Sequence, residues 1–140
     1  MKRVYEGQEP ELLLPDGWAR PSGYSQGVTA RGRWLFTAGQ VGWNPINEQF
    51  QSGELVAQAG QALRNIVAVL RKGGAEPSHL VRLTWFITDK DEYIASRGRL
   101  GAMYLDVIGK HYPAMTVIFV NDLLEENAKV EIEAVAIVPE

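Results

Sequence analysis

The hydrophobic pattern alternates between short runs of period two and two longer stripes of helical period. The densest run follows Tyr112-Pro113-Ala114, where Pro113 stops the preceding element and Met115 to Val120 reads as a strand. Met115, Val117 and Phe119 fall on one face and Thr116, Ile118 and Val120 on the other, a doubly apolar pattern that predicts a strand inside a sheet, not at its edge. Its first residues emerge beside a helix end and are placed to line a cleft. His79 to Thr88 sets Val81, Leu83, Trp85 and Ile87 against Arg82, Thr84, Phe86 and Thr88. Lys129 to Val138 sets Val130, Ile132, Ala134 and Ala136 against Glu131, Glu133, Val135 and Ile137. Earlier, Lys2 to Tyr5 and Gly27 to Ala30 predict short strands, and the Arg31-Gly32-Arg33 tip predicts a hairpin into Trp34 to Ala38, ending at Gly39-Gln40.

The first helical stripe is Val56, Ala59, Leu63, Ile66, Val67 and Leu70, with Ser52 as N-cap and Gly73-Gly74 as terminator. Gln58, Gln61 and Asn65 lie nearly opposite and predict a solvated face. Asp89 caps a second helix running to about Gly109, with the stripe Tyr93, Leu100, Tyr104, Val107 and Ile108. Arg97 falls inside this stripe, whereas Arg99 points to the polar side. An arginine aimed inward needs an anion or carbonyls; one that runs along the packed face to water needs neither, and both readings are open. Gly7 to Gly23 and Val41 to Gly53 read as loops, the first carrying an exposed Trp18 and ending in a Pro21-Ser22-Gly23 turn that delivers Tyr24. His79 is expected at the surface.

This order predicts an α+β fold, with two helices packed on one face of an about six-stranded mixed sheet. The other face is too apolar for water, so the pattern also predicts an oligomer.

A chain of 140 residues suits one domain, 1–140, with its own core. The net charge of −3, from 14 basic and 17 acidic residues without a like-charge run, argues against nucleic acid or a membrane surface as partner. Zero cysteines remove disulfides, thiol nucleophiles and thiolate metal sites together, and cytoplasm is the expected location. Met1-Lys2-Arg3 is followed by polar residues where a signal peptide needs an apolar segment, and Leu12-Leu13-Leu14 is too short to span a bilayer. There is no serine elbow, HExxH, phosphate loop or dinucleotide fingerprint, and the only two histidines, His79 and His111, make a poor metal set. Glu131 and Glu133 share a strand face, an arrangement open to acid and base roles or to simple solvent exposure.

Gly23-Tyr24-Ser25-Gln26, Thr37-Ala38-Gly39-Gln40, Gln61-Ala62-Leu63-Arg64-Asn65-Ile66, Tyr112-Pro113-Ala114 and Val130-Glu131-Ile132-Glu133-Ala134, in this order over about residues 20 to 138, resemble the RidA/YjgF family. The resemblance implies a chorismate-mutase-like fold and a homotrimer with small-molecule clefts between subunits. It also implies hydrolysis of reactive enamines or imines to 2-keto acids and ammonia, with neither metal nor cofactor. By the same resemblance Tyr24 is the site tyrosine, Glu131 orients the attacking water, and Gly39 and Val117 line the cleft with backbone.

The chain departs from the family where chemistry is decided. An arginine after the Pro-Ala pair grips the substrate carboxylate in the family, and here that position is Met115, which offers no donor. A common serine is Ala38, and a position often asparagine is Arg97. Two readings follow: a diverged imine deaminase anchored by Arg97, or a non-catalytic binding or regulatory trimer that kept the cleft. A ribonuclease, an activity sometimes attributed to this family, would need a basic path and stacking aromatics that the sequence does not concentrate.

Overall fold

A computed structural model describes residues 9–140, so the strand expected over Lys2 to Tyr5 lies outside the described residues. The elements are β1 (Glu11–Leu13), β2 (Gly27–Thr29), β3 (Arg33–Phe36), β4 (Gln40–Val41), β5 (Trp43–Asn44), β6 (Gln49–Phe50) and α1 (Leu55–Lys72). A 3-10 turn, Pro77–His79, then leads into β7 (Leu80–Ile87), α2 (Lys90–Ala95), α3 (Arg97–Val107), β8 (Ala114–Phe119) and β9 (Val130–Val138).

The main sheet has five strands in the order β3-β9-β7-β8, with β4 also paired to β9. β7 and β8 run parallel and the other pairs antiparallel, giving the mixed α+β sheet that the pattern predicts, with five strands instead of about six. Small pairs β1-β2 and β5-β6 stand apart; β2 falls on the strand expected at Gly27 to Ala30, whereas β1, β5 and β6 lie inside segments the sequence reads as loops.

Two pairings differ from expectation. No β2-β3 hairpin forms: β2 pairs with β1, and β3 lies along β9, with Arg33 opposite Val138 and Phe36 opposite Val135. Gly32, at φ +146, lets the chain pass so close to Val138 that any Cβ would overlap the Val138 carbonyl, so the chain enters β3 against β9 instead of folding back. The Met115 strand, expected inside the sheet, is its edge in the single chain, paired along its length to β7 and bridged on its other side only at Ala114, by Ser25. Alternation reports what finally covers a strand, not which chain does so.

The core lies between the sheet and the helices. Leu55, Leu63, Ile66 and Leu70 of α1 are buried with Leu83 and Ile87 of β7 and Val130 and Ile132 of β9, each side chain contributing roughly 1.5–3 kcal/mol. The amide side of α1 is not solvated as expected, since Gln58 is 1% and Asn65 4% exposed. Asn65 Nδ2 donates to the Val41 and Trp43 carbonyls at 3.3 and 3.0 Å and holds β4 and β5 on the helix. Gln58 Nε2 donates to the Ser52 and Asn127 carbonyls at 3.0 and 2.9 Å, and its Oε1 accepts from Lys129 N–H at 2.8 Å. Ser52 sits two positions further out than expected: Glu54 is the N-cap residue, and Ser52 Oγ accepts the Glu54 N–H.

The second predicted helix is two. Asp89 caps α2 as expected, its side chain accepting from Glu92 N–H at 2.9 Å, but the helix breaks at buried Ser96 before Arg97 begins α3. Gly98 and Gly101 weaken the helical preference just beyond the break. His79, expected at the surface, is buried; its Nδ1 accepts the Glu76 N–H at 3.0 Å, and burial holds its imidazole below the ordinary pKa.

The sheet face away from the helices is open. Trp34 and Phe36 are 66% and 65% exposed there, in rows with Val135 and Ile137. Phe86 and Ile118 stand in register on the same face.

Candidate functional site

A cleft of about 620 Å³ opens between the start of β8, the α2–α3 junction and the turn before β2. β8 contributes Met115 and Val117, which stand opposite Leu83 and Trp85 of β7 on the helix-facing side. The two helices contribute Tyr93, Arg97, Leu100 and Tyr104. Tyr24 arrives through the turn: Gly23 adopts φ +81, open to glycine, and Ser25 docks on the strand entry with its N–H on the Pro113 carbonyl at 3.0 Å and its hydroxyl on the Tyr112 carbonyl.

Five aromatic rings, those of Tyr24, Trp85, Tyr93, Tyr104 and Tyr112, line the wall. Tyr104 and Tyr112 stack at 5.3 Å and 17°, and Tyr93 meets Phe119 edge-on at 5.5 Å. Tyr104 donates its hydroxyl to the His111 carbonyl at 2.6 Å. Burial, followed by the neighbouring Tyr112, pushes its phenol pKa up, so it stays a neutral donor. Trp85 is 6% exposed, and its Nε1–H is the one buried side-chain polar atom without a partner among the described residues. Such a group costs about 1–3 kcal/mol.

Arg97 is the only charged residue in the lining. Its guanidinium lies 5.9 Å from the centre of the Tyr93 ring and is exposed at the cleft mouth. No carboxylate pairs with it among the described residues, whose ion pairs are Arg71–Glu76 and Lys129–Glu92. With no acidic side chain in the wall, the cleft favours an anion. Arg99 turns instead toward Ser96 Oγ at 3.4 Å.

The structure therefore brings Tyr24, Arg97, Met115 and Val117 together, but not Gly39 or Glu131. Glu131 stands on β9 opposite Phe86, on the open face and two strands from β8, roughly 10 Å across the sheet. Gly39 belongs with it, because a Cβ at Gly39 would occupy the space of the Glu131 carboxylate. Trp85, Tyr93, Tyr104 and Tyr112 were not anticipated in the cleft, since the alternation and stripe that carry the first three also mark core residues. Among the described residues no group of His, Asp and Glu side chains is arranged to hold a metal, and no helix is long and apolar enough to cross a membrane.

The sheet, its one-sided helices and the edge cleft define a chorismate-mutase-like α+β protein of the Rid type. The family model for Endoribonuclease L-PSP matches residues 18–138, and the chain belongs to that family, the RidA/YjgF family of the motifs above. Protein DfrA of Myxococcus xanthus is 31% identical over 141 aligned positions, covering 97% of this chain and 95% of that protein. The human 2-iminobutanoate/2-iminopropanoate deaminase is 30% identical over 114 positions, 81% of this chain and 79% of that protein. Among solved structures, the Rid protein YyfB of Yersinia pestis superposes with a TM-score of 0.81 at 32% identity, covering 93% of this chain and 99% of that one.

Proposed function

We propose that this protein hydrolyses an imine or enamine that carries an anionic group, and that Arg97 grips the anion in place of the family arginine that Met115 replaces. The observation that carries this reading is the unpaired Arg97 guanidinium at the mouth of a cleft that also holds Tyr24, Met115 and Val117. The human relative's name supports the reaction class. In that reaction water adds to the C=N carbon, and the resulting carbinolamine collapses to a carbonyl compound and ammonia. Glu131 is the carboxylate suited to accept the water's proton. Because Glu131 and Gly39 sit away from the cleft within one chain, the reading includes a homotrimer whose second copy brings them to it.

The test generates imines in place with an amino-acid oxidase and follows their loss by semicarbazide trapping. Catalysed loss is expected for the native protein, with kcat/KM falling about ten- to a hundredfold in Arg97→Gln, the worth of one charge-assisted contact. Turnover unchanged by Arg97→Gln would overturn the anchoring role. The second reading, a binding or regulatory trimer without turnover, is favoured by Met115 and Ala38 together. No hydrolysis of any imine by a folded trimer would select it.

A further inference from the structure

Resting on the proposed use of the cleft, we infer that its ligand is an aromatic 2-imino or 2-keto acid bound with its ring against the strand floor and its carboxylate at the mouth. The charge and the apolar surface have exchanged places. The family resemblance puts an arginine on the strand; here the strand offers Met115 and Val117 beside Trp85, and the cation has moved to the exposed start of α3. An anion drawn to Arg97 therefore stays near solvent, and what it carries points inward.

Three features fit that inner part to a ring. Tyr93, already held between Phe119 and the Arg97 guanidinium, and Tyr24 across the cleft offer aromatic surface for offset or edge-on contact. The Met115 thioether is flexible and makes favourable contacts with aromatic edges, which an arginine at this place would not. The buried Trp85 Nε1–H lacks an acceptor among the described residues, and an aromatic π-face or a ring oxygen seated against Trp85 can take it.

Calorimetric titration with phenylpyruvate and with pyruvate reads the ligand class without needing turnover. Phenylpyruvate is expected to bind at least about tenfold more tightly, the yield of burying a ring. Arg97→Gln should weaken phenylpyruvate about ten- to a hundredfold, while Arg99→Gln, whose guanidinium turns to Ser96, should not. Met115→Arg should erode phenylpyruvate's advantage over pyruvate. Equal affinities for the two acids, no saturable binding of either, or equal losses in the two arginine variants would overturn the inference. Tight phenylpyruvate binding without hydrolysis of any imine would uphold it and overturn the deaminase reading; imine hydrolysis with equal keto-acid affinities would do the reverse.

Discussion

At Met115 the cleft departs from the pattern that the family resemblance implies, and the consequence is testable by putting the charge back. Met115→Arg places a guanidinium on the strand floor, but Arg97 lines the same cleft and repels it. The double variant Met115→Arg with Arg97→Asn is therefore expected to outperform the single one on small alkyl imines, by about tenfold or more in kcat/KM. Equal inactivity of both, with mass and circular dichroism unchanged, would favour the binding-protein reading. That Met115 and Arg97 line the cleft was legible because a departure from a motif and a cation inside an apolar stripe are both visible in one line of sequence. Gln58 and Asn65 were not. Helical period puts them opposite the core stripe, yet they are buried, because the β4–β5 segment and the loop leading into β9 fold over that side and present carbonyls to it. Nothing local in the sequence distinguishes an amide facing water from an amide facing another backbone.

Pattern reasoning recovered α1, β7, β8 and β9, whose runs are long enough to show a period, and placed the shorter β2 and β3 between turn signals. The two-residue strands β4, β5 and β6 escaped it, since they cannot display a period. Their position is fixed by contact with α1, and Gly42 is where that contact is closest. A Cβ at Gly42 would overlap the backbone of Gln58, so β4 and β5 reach the helix only because the residue between them has no side chain. Gly42→Ala should force the two apart and cost about 1–3 kcal/mol, read as a lower urea midpoint with an unchanged slope. A midpoint within error of the native one would mean that the segment yields freely and that the Asn65 bonds do not hold it. The split between α2 and α3 has a functional side as well. It sets Tyr93 at the end of one helix and Arg97 at the start of the next, 5.9 Å apart across the Ser96 break. An unbroken helix, as the stripe predicted, would also have placed them one turn apart, which is why both line the cleft although the element differs from expectation.

At the scale of the whole molecule, the open sheet face and the divided site ask for the same thing. Trp34 and Phe36, two-thirds exposed and 5.7 Å apart ring to ring, form with Val135, Phe86 and Ile118 an apolar surface of a kind that a lone chain rarely leaves to water. Glu131 and Gly39 sit on that side, while Arg97 and Met115 sit at the β8 edge. The pattern of the sequence anticipated the first fact, but no single-chain period could reveal the second. If a closed trimer joins the two halves, each complete site takes Arg97 from one copy and Glu131 from its neighbour. Two impaired proteins, Arg97→Gln and Glu131→Gln, should then recover activity when mixed, unfolded and reassembled together. Random assembly gives about one interface in four with both native residues, so about a quarter of native turnover is expected. Light scattering must show trimers throughout, with Phe36→Glu shifting the mass toward monomer. Should the mixed trimers stay as impaired as their parents, Arg97 and Glu131 would not meet across the interface, and the water would need another base.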